Sequence, residues 1–253
     1  RSYLKIRIKN HRVNNRFQLS NIRINVLPKE IFALIGKSGS GKSTVAKLAV
    51  GLSQDDFCSI QINGIELNDH NERLIPQFFK AGYLPQNLHL KPFHTVLDFL
   101  NIIFQKSLAP QKEINRYVKI FHLQKILNTQ VTHLSGGEKQ KLGILNAISE
   151  PIEYLVLDEP FSQLDTEQKL EFALIIKEII ELKNIPCLLI SHDLSDVLKL
   201  SHSIGIINQG KIILNGDIQK LIKSQNEIVI NLRNALFHWH DSNHIIIENL
   251  KKL

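Results

Sequence analysis

Nine consecutive residues, Gly36-Lys37-Ser38-Gly39-Ser40-Gly41-Lys42-Ser43-Thr44, constrain this chain more than any other feature. They fit the pattern Gly, four residues, Gly-Lys-Ser of a phosphate-binding loop. The apolar run Ile31 to Ile35 before them reads as a strand, and Lys42 to Leu52 after them reads as a helix. Such a loop works only when strand, loop and helix are consecutive. Its glycines let the backbone wrap closely and aim N–H groups at phosphate oxygens, at the positive end of a helix dipole. Lys42 is placed as a point charge for the β- and γ-phosphates, and Ser43 as a hydroxyl ligand for Mg²⁺. A Gly/Ser-rich turn that matches by chance would leave the flanking strand and helix unexplained. The loop implies a nucleoside triphosphate site.

The chain's 253 residues suffice for one large α/β domain or for a domain with an inserted lobe. A hydrophobic fraction of 43% is ordinary for a globular core. No apolar run approaches the roughly 18 residues that cross a bilayer, and the segment from Arg1 to Asn10 lacks the apolar centre of a signal peptide. The expectation is an intracellular, soluble protein, or one held at a membrane by a partner. The sequence has no Met and begins with Arg1, which suggests a natural start further upstream. Cys58 and Cys187 lie far apart and match no metal spacing. The formal charge is +7, but Lys and Arg are scattered and do not interleave with aromatics. That balance favours solubility and an anionic cytoplasmic face, with no nucleic acid expected.

Along the chain, residues 3 to 35 read as short strands, because Leu4, Ile6 and Ile8, then Ile22, Ile24 and Val26, alternate with polar residues. A strand pair follows around Ser59 to Ile65, turned by Asn63-Gly64, and Ala81 to Leu84 is a further strand. Residues 88 to 134 change character: Thr95 to Phe104 and Glu113 to Leu127 have helical periodicity with no strand between them. After a helix from Glu138 come a strand Tyr154 to Asp158, a helix Thr166 to Leu182, a strand Cys187 to Ser191 and a helix near Leu194 to Leu200. That order argues for a mainly parallel sheet with right-handed crossovers. Ile204 to Ile207 and Lys211 to Leu214 read as a closing hairpin, and residues 224 to 253 as a tail without strong period. The fold class is α/β: a P-loop NTPase core, an N-terminal antiparallel β subdomain and an inserted helical subdomain.

Tyr154-Leu155-Val156-Leu157-Asp158-Glu159-Pro160 ends an apolar strand in two carboxylates, where open α/β sheets bind ligands. Asp158 is the candidate Mg²⁺ holder and Glu159 the candidate that polarises an attacking water. Leu134-Ser135-Gly136-Gly137-Glu138 opens a helix with a second potential nest of backbone N–H groups. One P-loop site hardly needs a second nest in the same chain.

At this point the sequence resembles the nucleotide-binding subunits of ABC transporters, over roughly residues 3 to 222 and with its motifs in family order. The resemblance implies that Ser135, Gly136, Gly137 and Glu138 form the signature, which closes on ATP held by a second subunit. It implies that Gln86 in Tyr83-Leu84-Pro85-Gln86 senses Mg²⁺ and the attacking water. By the same likeness Asp165, in Phe161-Ser162-Gln163-Leu164-Asp165, lines the dimer seam, and His192 contacts the γ-phosphate. The domain division expected is an ATPase domain over 1–222, its helical subdomain at about 88–134, and a tail over 223–253. The implied function is ATP hydrolysis at composite sites in a head-to-tail dimer, driving solute transport, import more than export. Implied partners are a second ATPase subunit, integral membrane permease subunits and a solute-binding protein, with the chain peripheral on the inner face of the cell membrane. The competing class is a soluble ABC ATPase without a membrane partner, such as one in iron–sulfur cluster assembly; the Asp-Glu-Pro-Phe and Tyr-Leu-Pro-Gln segments are more transporter-like.

Three positions depart from the family pattern. Where an aromatic usually stacks on adenine the chain reads His11-Arg12-Val13-Asn14, with Phe17 the nearest downstream aromatic, so Arg12 or His11 would stack instead. Lys141 stands where Arg is common, and Lys29 replaces a turn glycine. In the tail, His238, Trp239, His240 and His244 cluster closely enough to suggest a transition metal, but their spacing gives at most a two-ligand site. Packing of Trp239 with solvated histidines is the reading we favour.

Overall fold

The computed structural model describes residues 3–14, 17–53, 57–67, 80–90, 95–198 and 200–239, with side chains up to residue 234. Two sheets share one helix between them. The first is antiparallel, built from β1 (Leu4–Asn14), β2 (Phe17–Val26), β4 (Cys58–Ile62) and β5 (Ile65–Glu66) in the order β2-β1-β4-β5. Its register places Ile6 opposite Ile24 and Ile60, and Ile8 opposite Ile22, so these residues share one buried aliphatic patch. The second contains β3 (Ile31–Ile35), β6 (Ala81–Leu84), β7 (Tyr154–Asp158), β8 (Cys187–Ser191), β9 (Ser203–Asn208) and β10 (Lys211–Gly216). Their order is β10-β9-β3-β8-β7-β6, all parallel except β10, which closes the edge as a hairpin on β9.

Strand β3 shows why the sheet is buried on both sides. Phe32 and Leu34 enter the core shared with the antiparallel sheet, whereas Ile31, Ala33 and Ile35 enter the opposite core. An unbroken apolar run is what a central parallel strand requires. Helix α1 (Lys42–Ala49) lies in the first core, where Val45, Ala46, Leu48 and Ala49 meet Leu4, Ile6 and Ile24 from the antiparallel sheet.

The opposite face carries α4 (Gly136–Ile148), α5 (Thr166–Lys183) and the helical segment between β6 and α4. That segment holds α2 (Val96–Ile103) and α3 (Pro110–Ile120). Thr95 starts α2 with a reciprocal capping box to Asp98. Phe104 stacks on Tyr117 at 5.3 Å between ring centroids, and Phe121 meets Tyr117 edge-on. Thr95 bridges back to Gln130, which closes the segment at its base. Its apolar residues are continuous with the main core.

The C-terminal end differs from the sequence reading. Residues 227 to 239 are not an aperiodic tail but a helix, α8 (Glu227–Trp239), following α7 (Ile218–Lys223). The Asn226 carboxamide accepts hydrogen bonds from the N–H groups of Ile228 and Val229, which caps the helix start. Val229 is fully buried and Leu232 packs beside it, so tertiary contact with α6 (Leu194–Leu198) and α7 holds the turns. His240 and His244 lie outside the described residues, as do the side chains of His238 and Trp239. No helix among the described residues is long and apolar enough to cross a membrane.

Candidate functional site

Strand β3 ends at Ile35 and the chain turns at Gly36 directly under β9. A methyl group on Gly36 would stand 2.3 Å from the Ile207 carbonyl oxygen, so that position admits no side chain. The loop then uses two left-handed glycines, Gly39 at φ 78° and Gly41 at φ 104°. Gly41 lies against Leu19 and Phe17 of β2, and the Gly210 N–H donates to the Ser40 carbonyl. The loop is therefore supported from both sheets. Lys37, Ser38 and Gly39 are exposed, whereas Lys42 is 6% exposed.

The Lys42 ammonium donates to the carbonyls of Gly36 at 2.8 Å and Lys37 at 3.1 Å. Burial pulls its pKa below the ordinary value, while the charges of Glu159 and Asp158 oppose the shift. The buried Ser40 hydroxyl has no hydrogen-bond partner. Ser43 donates to Asp158 Oδ1 at 3.2 Å across from β7. These are hard oxygen donors beside a buried ammonium. Residues 36–44 thus fit a polyphosphate, and the Ser43–Asp158 oxygens fit Mg²⁺.

Asp158 ends β7 beside Ile190 of β8 and is buried. Burial raises its pKa; the Ser43 hydrogen bond opposes this, the neighbouring Glu159 adds to it, and Lys42 and Lys47 again oppose it. Tyr83 on β6 faces the same site, in register with Val156 two residues before Asp158. Its phenol is pushed up to about 12, first by burial and then by the charge of Asp158. The sequence motif alone gives Tyr83 no role; the signal for it is that parallel neighbours in register share a face.

Glu159 adopts φ 53°, a left-handed conformation that costs a residue with a side chain about 1–2 kcal/mol. The turn is held by the Glu159 N–H donating to the Ile190 carbonyl. It aims the carboxylate at His192, whose Nδ1 lies 2.7 Å from Glu159 Oε2. Because a carboxylate only accepts, the imidazole is the donor, in the tautomer with hydrogen on Nδ1. Strain of this kind persists where surrounding contacts over-determine it. Sequence reasoning gave His192 a phosphate partner and did not foresee this pairing within the chain.

The other candidates fall into two places. Gln86 is exposed just past the end of β6, the strand beside β7, and its side chain makes no hydrogen bond among the described residues. Ser135 caps α4 in a capping box: its hydroxyl accepts from the Glu138 N–H at 3.3 Å, and Glu138 Oε2 accepts from the Ser135 N–H at 2.8 Å. This cap occupies part of the expected nest, leaving the first-turn N–H groups of Gly136 and Gly137 outside the helical ladder. A Cβ on Gly137 would meet Leu164 and Gln168 at 3.3 Å, so the signature sits against the segment leading to Asp165. Asp165 caps α5, accepting from the Gln168 N–H at 2.9 Å. No hydrogen bond among the described residues joins the signature to the P-loop. Arg12 and His11 pair with Gln18 and Leu19 across the β1–β2 hairpin, and it is Phe17 that reaches the P-loop.

Residues 19–162 match the family model described as ABC transporter. The chain belongs to the ABC transporter family. ATP is accordingly the nucleotide that this chain binds. The chain is 32% identical over 217 residues to the molybdate/tungstate import ATP-binding protein WtpC of Methanocaldococcus jannaschii, covering 84% of this chain and 70% of that protein. It is 31% identical over 208 residues to the molybdenum import ATP-binding protein ModC of Paramagnetospirillum magneticum, covering 80% of this chain and 56% of that one. The chain thus spans 56% of one of these ABC proteins and 70% of the other. A solved structure titled "Structure of ATP binding subunit of ABC transporter" superposes with a TM-score of 0.75 at 25% identity, over 91% of this chain and 99% of that one. An ABC ATP-binding fold is what the two sheets and the inserted helices make.

Proposed function

We propose that this chain is the ATP-hydrolysing subunit of an ABC importer, working as a pair of subunits on the inner, cytoplasmic face of a membrane. The observation that carries the reading is the convergence of Lys42, Ser43, Asp158 and the Glu159–His192 pair at the C-terminal edge of one parallel sheet. Residues 36–44 bind the phosphates through backbone N–H groups and the Lys42 ammonium. Mg²⁺, held by Ser43, Asp158 and Gln86, would supply charge neutralisation on the β- and γ-oxygens. Glu159 orients and polarises the attacking water, and His192 holds that carboxylate in place until a γ-phosphate competes for the imidazole. Phosphoryl transfer needs positioning and charge stabilisation more than covalent help, which these groups provide.

No hydrogen bond among the described residues ties Ser135 to Glu138 to the chain's own P-loop, which favours action on the ATP of a second subunit, with Asp165 at the seam. In this reading residues 1–222 are the ATPase domain and 88–134 its helical subdomain. The permease subunits and a solute-binding protein complete the transporter. Both relatives are named for import, of molybdenum or of molybdate and tungstate, and a related oxyanion is the first cargo to test.

Turnover by the purified chain should rise more than linearly with its concentration, and Ser135→Arg should abolish it while monomer ATP affinity stays unchanged. Detergent-solubilised complexes should contain an integral membrane subunit. Full turnover by a verified monomer refutes the dimer, and a purely soluble complex refutes transport.

A further inference from the structure

A second ion pair joins the two segments that carry the reacting groups. Lys169, on the first turn of α5, donates to both carboxylate oxygens of Asp196, at 2.7 and 2.9 Å. Asp196 belongs to α6, and its side chain is only 9% exposed. Burial raises the Asp196 pKa and the Lys169 hydrogen bond opposes that; the like charge of Asp193 adds to the rise, and His192 opposes it. A carboxylate so placed depends on its cation, because removing one partner strands a buried charge.

The topology gives this pair its meaning. From Glu159 the chain runs through the turn to Asp165, whose carbonyl accepts from the Lys169 N–H. From Asp196 it runs back through Asp193 to His192, and His192 bonds to Glu159. Two stretches of backbone and two polar bridges therefore close a ring: Glu159, Asp165, Lys169, Asp196, His192 and Glu159 again. Within α6, Ser195 donates its N–H and hydroxyl to Asp193 Oδ1, so the turn between His192 and Asp196 is itself braced. A ring clamped at both ends fixes the imidazole relative to the carboxylate. Opened at Lys169, it leaves α6 anchored only on its buried side by Leu194 and Val197, and the largely exposed His192 side chain loses the brace on its polar side.

We infer that Lys169 and Asp196 are positioning residues for ATP hydrolysis, setting the Glu159–His192 geometry and tying it to the Asp165 segment. This deepens the proposed function and rests on it for its kinetic consequence; the geometric consequence does not. Four variants separate the possibilities: Lys169→Met, Asp196→Asn, the conservative Lys169→Arg, and Glu171→Gln. Glu171 lies on the same helix and pairs with Lys141 and His122 outside the ring, so it serves as the control.

The first measurement is the imidazole ¹⁵N spectrum of His192 in the full chain without nucleotide. Lys169→Met and Asp196→Asn should lose the hydrogen-bonded Nδ1 signature, while Lys169→Arg and Glu171→Gln keep it. The second is steady-state phosphate release. The same two variants should lose at least about tenfold in kcat, the scale on which a small misplacement acts, with KM for ATP held. Lys169→Arg should recover it. Asp196→Asn keeps a polar, uncharged partner and covers the case in which Lys169→Met does not fold. Unchanged His192 resonances in the folded Lys169 and Asp196 variants overturn the inference, as does an equal kcat loss in Glu171→Gln. A wild-type chain without ATPase activity overturns the functional proposal instead, and the His192 spectra still decide the ring.

Discussion

Glu159→Gln separates binding from chemistry most cleanly. The amide has nearly the same volume, so the buried left-handed turn need not move. Its oxygen can still accept from His192 Nδ1, at 2.7 Å in the native pair, but without the charge assistance of a carboxylate. That loss is of order 1 kcal/mol of stability. It is offset because the variant also removes the repulsion that Glu159 exerts on buried Asp158. Stability should therefore stay within about 1 kcal/mol of the parent. The water-polarising carboxylate, by contrast, is gone, and a positioned general base contributes about 10²–10⁴ in rate. At about 1.4 kcal/mol per tenfold, that is roughly 3–5 kcal/mol of barrier. Phosphate release should fall by at least about 100-fold, ATP affinity by calorimetry should persist, and a closed dimer should accumulate on gel filtration with ATP. Hydrolysis near the parent rate would refute the role given to Glu159.

Lys42→Ala removes a cation beside the phosphates and should weaken ATP binding by on the order of tenfold or more, about 1.4 kcal/mol; equal affinity in calorimetry contradicts the phosphate role. Gly36→Ala forces a methyl group against the Ile207 carbonyl, 2.3 Å away, and should cost about 1–3 kcal/mol of stability, read as a fall in Tm; an unchanged Tm refutes the close approach. Burial pushes Glu171 up, but hydrogen bonds from Lys141 and His122 outweigh it and hold the group below its ordinary value of 4.5. With a lowered folded pKa, its contribution is full above that value and disappears as pH falls through the folded pKa. Denaturant titrations at pH 6 and pH 3 should thus show the gap between wild type and Glu171→Gln closing in acid; a gap that widens would contradict the pairing.

Features set by consecutive residues were legible in advance. Ile31 to Ile35, Tyr154 to Asp158 and Cys187 to Ser191 are short apolar runs next to turn chemistry, and each is a buried parallel strand within those bounds. The P-loop likewise carries its own context. Features that depend on two distant segments were not legible. The left-handed turn at Glu159 is fixed by a hydrogen bond to Ile190, and the Lys169–Asp196 pair by α5 meeting α6. The Ser135–Glu138 box matches a spacing that could have been read, as does the Asn226 cap of α8. That helix was missed because Ile228-Val229-Ile230 has no helical period of its own.

The support beneath Gly41 bears on how far this protein could be trimmed. Leu19 and Phe17, from the second strand of the chain, form the floor on which the loop's sharpest glycine rests, and Gly210 grips the loop from the far hairpin. A fragment beginning at Ile31 would retain every chemical motif in order, from Gly36 to His192. It would nevertheless lack the surface that shapes the first of them, and its α1 would expose Val45 and Leu48 on the side now covered by β1 and β2. The smallest catalytic unit is therefore larger than the span of its motifs. Any transplant of this P-loop into another scaffold has to bring a strand to lie under it.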